Sequence, residues 1–99
     1  MVVKVSITEY AFSPMNLTIS SGTSVEFIDD GQVQHTATSC SPAQCSGVGP
    51  GTGSDPPFNS GDLNPGSTFT VQLNGLGTYN YYCMIHGYQL MHGTIIVIA

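Results

Sequence analysis

Val3, Val5 and Ile7 alternate with Lys4, Ser6 and Thr8 at the start of the chain, the period-two pattern of a strand with one buried face. Tyr10 to Pro14 reads as a turn and Asn16 to Ser20 as a second short strand, broken by Ser21-Gly22. Ser24 to Asp29 resumes with Val25 and Phe27 on one face, and Asp30-Gly31 is a turn signal. His35 to Ser39 reads as a strand edge or strand start. In Thr68 to Leu73, Phe69, Val71 and Leu73 alternate with Thr70 and Gln72, and after the Asn74-Gly75 turn Thr78 to Cys83 forms another strand. The closing run from Gly93 to Ala99 is strongly apolar, which predicts a strand buried on both faces.

Residues 40 to 66 break this rhythm. They contain Pro42, Pro50, Pro56, Pro57 and Pro65, six glycines and few apolar side chains, so they should form an extended surface loop. Taken together, about seven short strands with turn signals between them and no convincing helix predict an all-β fold, a Greek-key β-sandwich. A length of 99 residues suits a single domain spanning residues 1–99.

Composition narrows the function more than the fold. With 40% hydrophobic and 7% charged residues the chain is globular rather than disordered. Lys4 is the only Lys or Arg against six acidic residues, a formal net charge of −5. One cation cannot neutralise a row of phosphates, which excludes a nucleic-acid reader, and adhesion to an anionic membrane surface fails for the same reason. An acidic surface favours a basic docking partner instead. No stretch approaches the roughly 20 apolar residues of a membrane span. The first residues alternate as a strand and lack the pattern of a signal peptide.

The three cysteines divide by spacing. Cys40 and Cys45 flank Ser-Pro-Ala-Gln in the long loop, where a disulfide would close a very short ring worth on the order of 2 kcal/mol. A two-cysteine copper(I) clamp is the alternative, but the loop holds no histidine. The disulfide reading favours an oxidising compartment, so the expected location is extracytoplasmic, periplasmic or at the cell surface, as a mature domain without its signal or anchor.

Cys83 stands apart. A lone cysteine at a strand end is ordinarily core filler, yet Cys83-x2-His86-x4-Met91 puts a thiolate, an imidazole and a thioether within nine residues. The first two curl around one point as the strand turns, and four residues carry Met91 back toward it. This set is softer than zinc requires, and thioether selects copper. The paired CxxC or HxxxH elements of structural zinc sites are absent. A cysteine nucleophile with a histidine base is the rival, without an evident oxyanion hole or orienting third group. A fourth ligand must come from His35 or His92.

The segment Tyr81-Tyr82-Cys83-x2-His86-x4-Met91-x-Gly93-Thr94 resembles the ligand loop of the plastocyanin family of cupredoxins, the type 1 (blue) copper proteins. The stretch from Val25 to Thr38, with His35 after a turn, is similar to that family's first-histidine region, and Phe58 to Phe69 and Gly77-Thr78-Tyr79 match its intervening segments. The resemblance implies His35, Cys83 and His86 as trigonal ligands of one mononuclear copper ion and Met91 as a weak axial ligand. It further implies an eight-stranded sandwich with the metal at one end, acting as a single-electron carrier rather than an enzyme. Three features depart from the family pattern: the apolar pair Met84-Ile85, His92, and the Cys40–Cys45 insert.

The redox partners are expected to be proteins docking near His86 on Ile85, Tyr88 and Leu90, with the chain itself a monomer. Strand parity places Tyr79 and Tyr81 in the core and lets Tyr82 reach the surface as an electron exit beside Cys83. It also turns His92 away from the metal. Met15 is expected to pack and Met84 to join an apolar collar. Two rival functions use the same residues. A loosely held Met91 would leave an open position for a small molecule such as nitric oxide or nitrite, and weak, exchangeable binding would suit copper delivery or storage.

Overall fold

The structure, a computed structural model, describes residues 2–40, 45 and 58–99. Eight strands lie among them: β1 (Val2–Thr8), β2 (Ala11–Ser13), β3 (Asn16–Ser20), β4 (Thr23–Asp29), β5 (Thr38–Ser39), β6 (Thr68–Leu73), β7 (Gly77–Tyr82) and β8 (His92–Ile98). They form two four-stranded sheets, ordered β2-β1-β4-β6 and β3-β8-β7-β5. β1 runs parallel to β4 and β3 parallel to β8, while every other pairing is antiparallel. Strands adjacent in space but distant in sequence are the mark of the Greek key, and the all-β sandwich is as expected. No helix among the described residues is long and apolar enough to cross a membrane.

The core follows from the alternation. Val5 and Ile7 of β1, Val25 and Phe27 of β4, Tyr79 and Tyr81 of β7, and Ile95 and Val97 of β8 are all buried. Phe27 is the hub. Its ring stacks on Phe69 of β6 in its own sheet (centroids 6.4 Å apart) and on Phe58 (6.0 Å), whose backbone is hydrogen-bonded to Ser39 of β5, and meets Tyr81 from the opposite sheet at 5.2 Å. Edge-to-face and offset pairs of this kind exploit the ring quadrupole beyond simple burial.

Gly93 shows how tightly this core is closed. It pairs with Tyr81 across β7–β8, and a Cβ at that position would run into the Tyr81 hydroxyl end and come within 3.0 Å of the Met15 carbonyl oxygen. Gly93→Ala should therefore destabilise the fold by about 1–3 kcal/mol through overpacking. In a double-mutant cycle read by thermal melting, Tyr81→Phe, which removes the obstructing hydroxyl, should recover part of that loss; strict additivity would refute the steric account.

Several local expectations are corrected. The Tyr10-to-Pro14 turn contains the short strand β2, which pairs with the end of β1. β8 is buried on one face only: Ile95 and Val97 point into the core, while Ile96 and Ile98 on the other face are exposed. Met15 is half exposed rather than packed. Within the segment expected to be surface loop, Phe58 and Leu63 are buried and Leu63 pairs with His35. The remainder of that expectation, residues 41–44 and 46–57, lies outside the described residues. The Cys40–Cys45 disulfide is present, its Cα atoms 5.7 Å apart.

Candidate metal centre

His35, Cys83 and His86 come together at one end of the sandwich, from segments some fifty residues apart in sequence. His35 precedes β5 and is fixed by its own backbone: its N–H donates to Leu63 O (3.1 Å) and its carbonyl accepts from Leu63 N–H (2.7 Å). Cys83 follows β7 directly. The chain then makes two successive five-residue turns that share Gly87, closed by Gly87 N–H to Cys83 O (2.9 Å) and Met91 N–H to Gly87 O (3.0 Å), and the segment is tied off by Cys83 N–H to Met91 O at 3.2 Å. Gly87 joins the two turns at φ +87°, a conformation that favours glycine. This backbone ring of residues 83–91 holds His86 beside Cys83 and returns the Met91 backbone to Cys83.

The potential donor atoms of the three residues all lie within 4.8 Å of one another. Cys83 Sγ is 3.4 Å from His86 Nδ1 and 4.0 Å from His35 Nδ1. First-row ions bond imidazole and thiolate at about 2.0–2.3 Å, so one ion can bridge donors spaced in this way. His35 and Cys83 are fully buried, whereas His86 is half-buried. The donor chemistry, two imidazoles and one thiolate, suits a copper site.

The surroundings fix both histidine and sulfur. His35 Nε2 lies 3.0 Å from Glu9 Oε1. A carboxylate only accepts, so Nε2 donates this bond, and Nδ1 is the ring nitrogen that faces Cys83 Sγ. Glu9 Oε1 also accepts the N–H groups of Gln32 (2.7 Å) and Val33 (3.1 Å). The His35 hydrogen bond first, and the Gln32 amide next, bring the Glu9 carboxyl down to about 2, well below the usual carboxylate range. Thr36 N–H donates to Cys83 Sγ at 3.4 Å. From there a chain of donors ties the two ligand segments together: Met84 N–H to Thr36 Oγ1 (2.8 Å), Thr36 to Thr38 (3.1 Å), and Thr38 Oγ1–H to Asn59 Oδ1 (3.1 Å).

The remaining expected residues fall into place unevenly. Met91 is buried in the core cluster that also contains Cys83. Met84, Ile85 and Leu90, in the same short segment as His86, are exposed. Tyr88 belongs elsewhere: it packs with Tyr82 against the Cys40–Cys45 disulfide and stacks on His92 at 4.5 Å, whose Nδ1 lies 2.8 Å from the Tyr88 carbonyl oxygen. Tyr82 is buried there too, contrary to the surface position that parity allowed, because the disulfide covers its side of the sheet. Two neighbours of the site had no sequence signal. Glu9 is one, and Tyr10 is the other, half exposed with its ring 4.9 Å from that of His86.

A two-sheet sandwich with two histidines and a cysteine gathered at one end defines a copper-binding β protein. Residues 1–98 match the family of copper binding proteins described as plastocyanin/azurin. The chain belongs to that family, as a cupredoxin of the plastocyanin kind, and its cofactor is copper. It is 38% identical over 87 residues to chloroplastic plastocyanin of Chlamydomonas reinhardtii, covering 87% of this chain but 57% of that protein. It is 33% identical over 89 residues to plastocyanin of Cucumis sativus, covering 88% and 87% of the two chains. Among solved structures it is similar to a purple cupredoxin from Nitrosopumilus maritimus, with a TM-score of 0.77, 28% identity, and 97% and 99% of the two chains covered.

Proposed function

We propose that residues 1–99 form a single domain that carries one electron at a time between protein partners, through one type 1 copper ion held by His35, Cys83 and His86 with Met91 as a weak axial ligand. The observation that supports this reading most is the graded burial of the three donors. His35 and Cys83 are sealed and hydrogen-bonded in place, and His86 alone reaches the surface. Copper bound there would supply the couple between Cu(I) and Cu(II). The protein contributes a fixed frame: the donor chain from Met84 to Asn59 and the backbone ring of residues 83–91 resist rearrangement when the charge changes. The Thr36 amide on Cys83 Sγ tunes the sulfur as an outer-shell hydrogen bond does.

Tyr10, whose ring meets His86, and the exposed Met84, Ile85 and Leu90 of the His86 segment make up the docking patch of this reading, and Tyr10 takes in it the place expected of Tyr88. A net charge of −5 supports a basic partner whose association weakens with salt. The disulfide supports an extracytoplasmic location. Copper(II) titration should give one equivalent bound and an intense sulfur-to-copper visible band. Addition of nitrite or nitric oxide should leave that band unchanged, and the loaded protein should exchange electrons rapidly with a small inorganic oxidant. A band that shifts on adding nitrite would establish the open-site alternative, and a colourless complex would remove the type 1 assignment altogether.

A further inference from the structure

Glu9 stands immediately after β1 and far from the ligands in sequence, yet a single oxygen of its carboxylate collects three donors. His35 Nε2 lies at 3.0 Å, and the amides of Gln32 and Val33 at 2.7 and 3.1 Å. The His35 side chain is wholly buried, while that of Glu9 is 26% exposed, so the pair sits at the rim of the site with its imidazole end shielded from water. Gly31 makes room for it: a Cβ on residue 31 would collide with the Glu9 carboxylate. The carboxylate, the turn that wraps it and the buried imidazole thus form one unit.

We propose that Glu9 is a positioning residue of the copper centre, holding His35 with Nδ1 toward Cys83 and lowering the reduction potential by placing a negative charge behind that ligand. The proposal rests on the reading of His35 as a copper ligand. Its physical basis is twofold. An acceptor on the far nitrogen fixes the tautomer and ring orientation of a ligating histidine and raises its basicity. An anionic acceptor does so more strongly than a neutral one, and the oxidised centre, which bears one more positive charge, gains more from a nearby anion than the reduced centre.

The test compares the wild type with Glu9→Gln, Glu9→Ala and Gly31→Ala, each in copper-loaded and copper-free form. Glu9→Gln keeps an acceptor oxygen and removes the charge. The nitrogen-15 spectrum of the His35 ring in the copper-free protein should then still show the Nε2–H tautomer. The preference for copper(II) over copper(I) should fall about tenfold, a rise of about 59 mV for one electron. Glu9→Ala should show mixed tautomers as well as the raised potential. Gly31→Ala, which displaces the carboxylate without changing residue 9, should raise the potential too. A merely structural latch would lower the melting temperature of these variants and leave the potential where it was, and that result would overturn the proposal. So would mixed His35 tautomers in the copper-free wild type. An absent visible band in the wild type would instead defeat the copper reading and the redox half with it, while the ring spectrum decides the tautomer half independently.

Discussion

Cys83→Ser is expected to abolish the visible charge-transfer band and to weaken copper(II) binding by more than about 100-fold, beyond the cost typical of losing an outer-shell partner. The reason lies in what occupies the point between the two imidazoles. Cys83 Sγ lies 4.0 Å from His35 Nδ1 and 3.4 Å from His86 Nδ1, and it is fully buried. The band arises from sulfur donating electron density to the metal, and a serine oxygen is harder and stays protonated. The fold should survive, because a hydroxyl at this place can still accept the Thr36 amide that now reaches the sulfur. Circular dichroism of the copper-free variant should therefore match the wild type while the titration with copper(II) fails. A variant that keeps an intense visible band would show that the sulfur at position 83 is not a ligand.

That site was legible in the sequence because two of its three gathered donors, Cys83 and His86, sit in one short segment. Cys83-x2-His86-x4-Met91 marks a ligand loop by spacing alone, and one turn motif before His35 completed the picture through the family resemblance. What escaped is non-local. Glu9 is one carboxylate at the end of a strand, and nothing in its neighbourhood says that the Gly31 turn will fold across it. Leu63 looks like loop because prolines and glycines surround it, yet it makes both backbone hydrogen bonds with His35. Burial was misread where alternation was masked by propensity: Ile96 and Ile98 are β-branched residues that suit a strand whether or not their face is covered. Tyr82 was misplaced for the converse reason, since parity cannot show that a disulfide will lie over the outer face. The three-residue β2 escaped because it is too short to show a period.

Phe27→Ala should be the most damaging substitution in the core, costing about 3–5 kcal/mol. Phe27 is fully buried and joins the two sheets through Tyr81, packed in a cluster with Phe58, Phe69 and Phe12. No neighbour can close over the gap easily, because Tyr81 is fixed in β7 against Gly93, and Phe58 is held by Ser39 through hydrogen bonds of 2.8 and 3.0 Å. Domains of this size have only about 5–15 kcal/mol in total. At about 4–8 °C per kcal/mol, the copper-free melting temperature should fall by at least about 12 °C. The half-buried Phe69, at the side of the same cluster, is the control, and Phe69→Ala should cost less. The damage also reaches the metal end, since Tyr81 is two residues before Cys83. Copper binds the folded state, so at a free concentration 1,000 times the dissociation constant it should return about 4 kcal/mol to the variant. Thermal melts with and without the metal check both statements. A fall of only a few degrees would mean that the core repacks around the missing ring, and a variant that copper fails to stabilise would mean that the ligand loop depends on Phe27 for its shape.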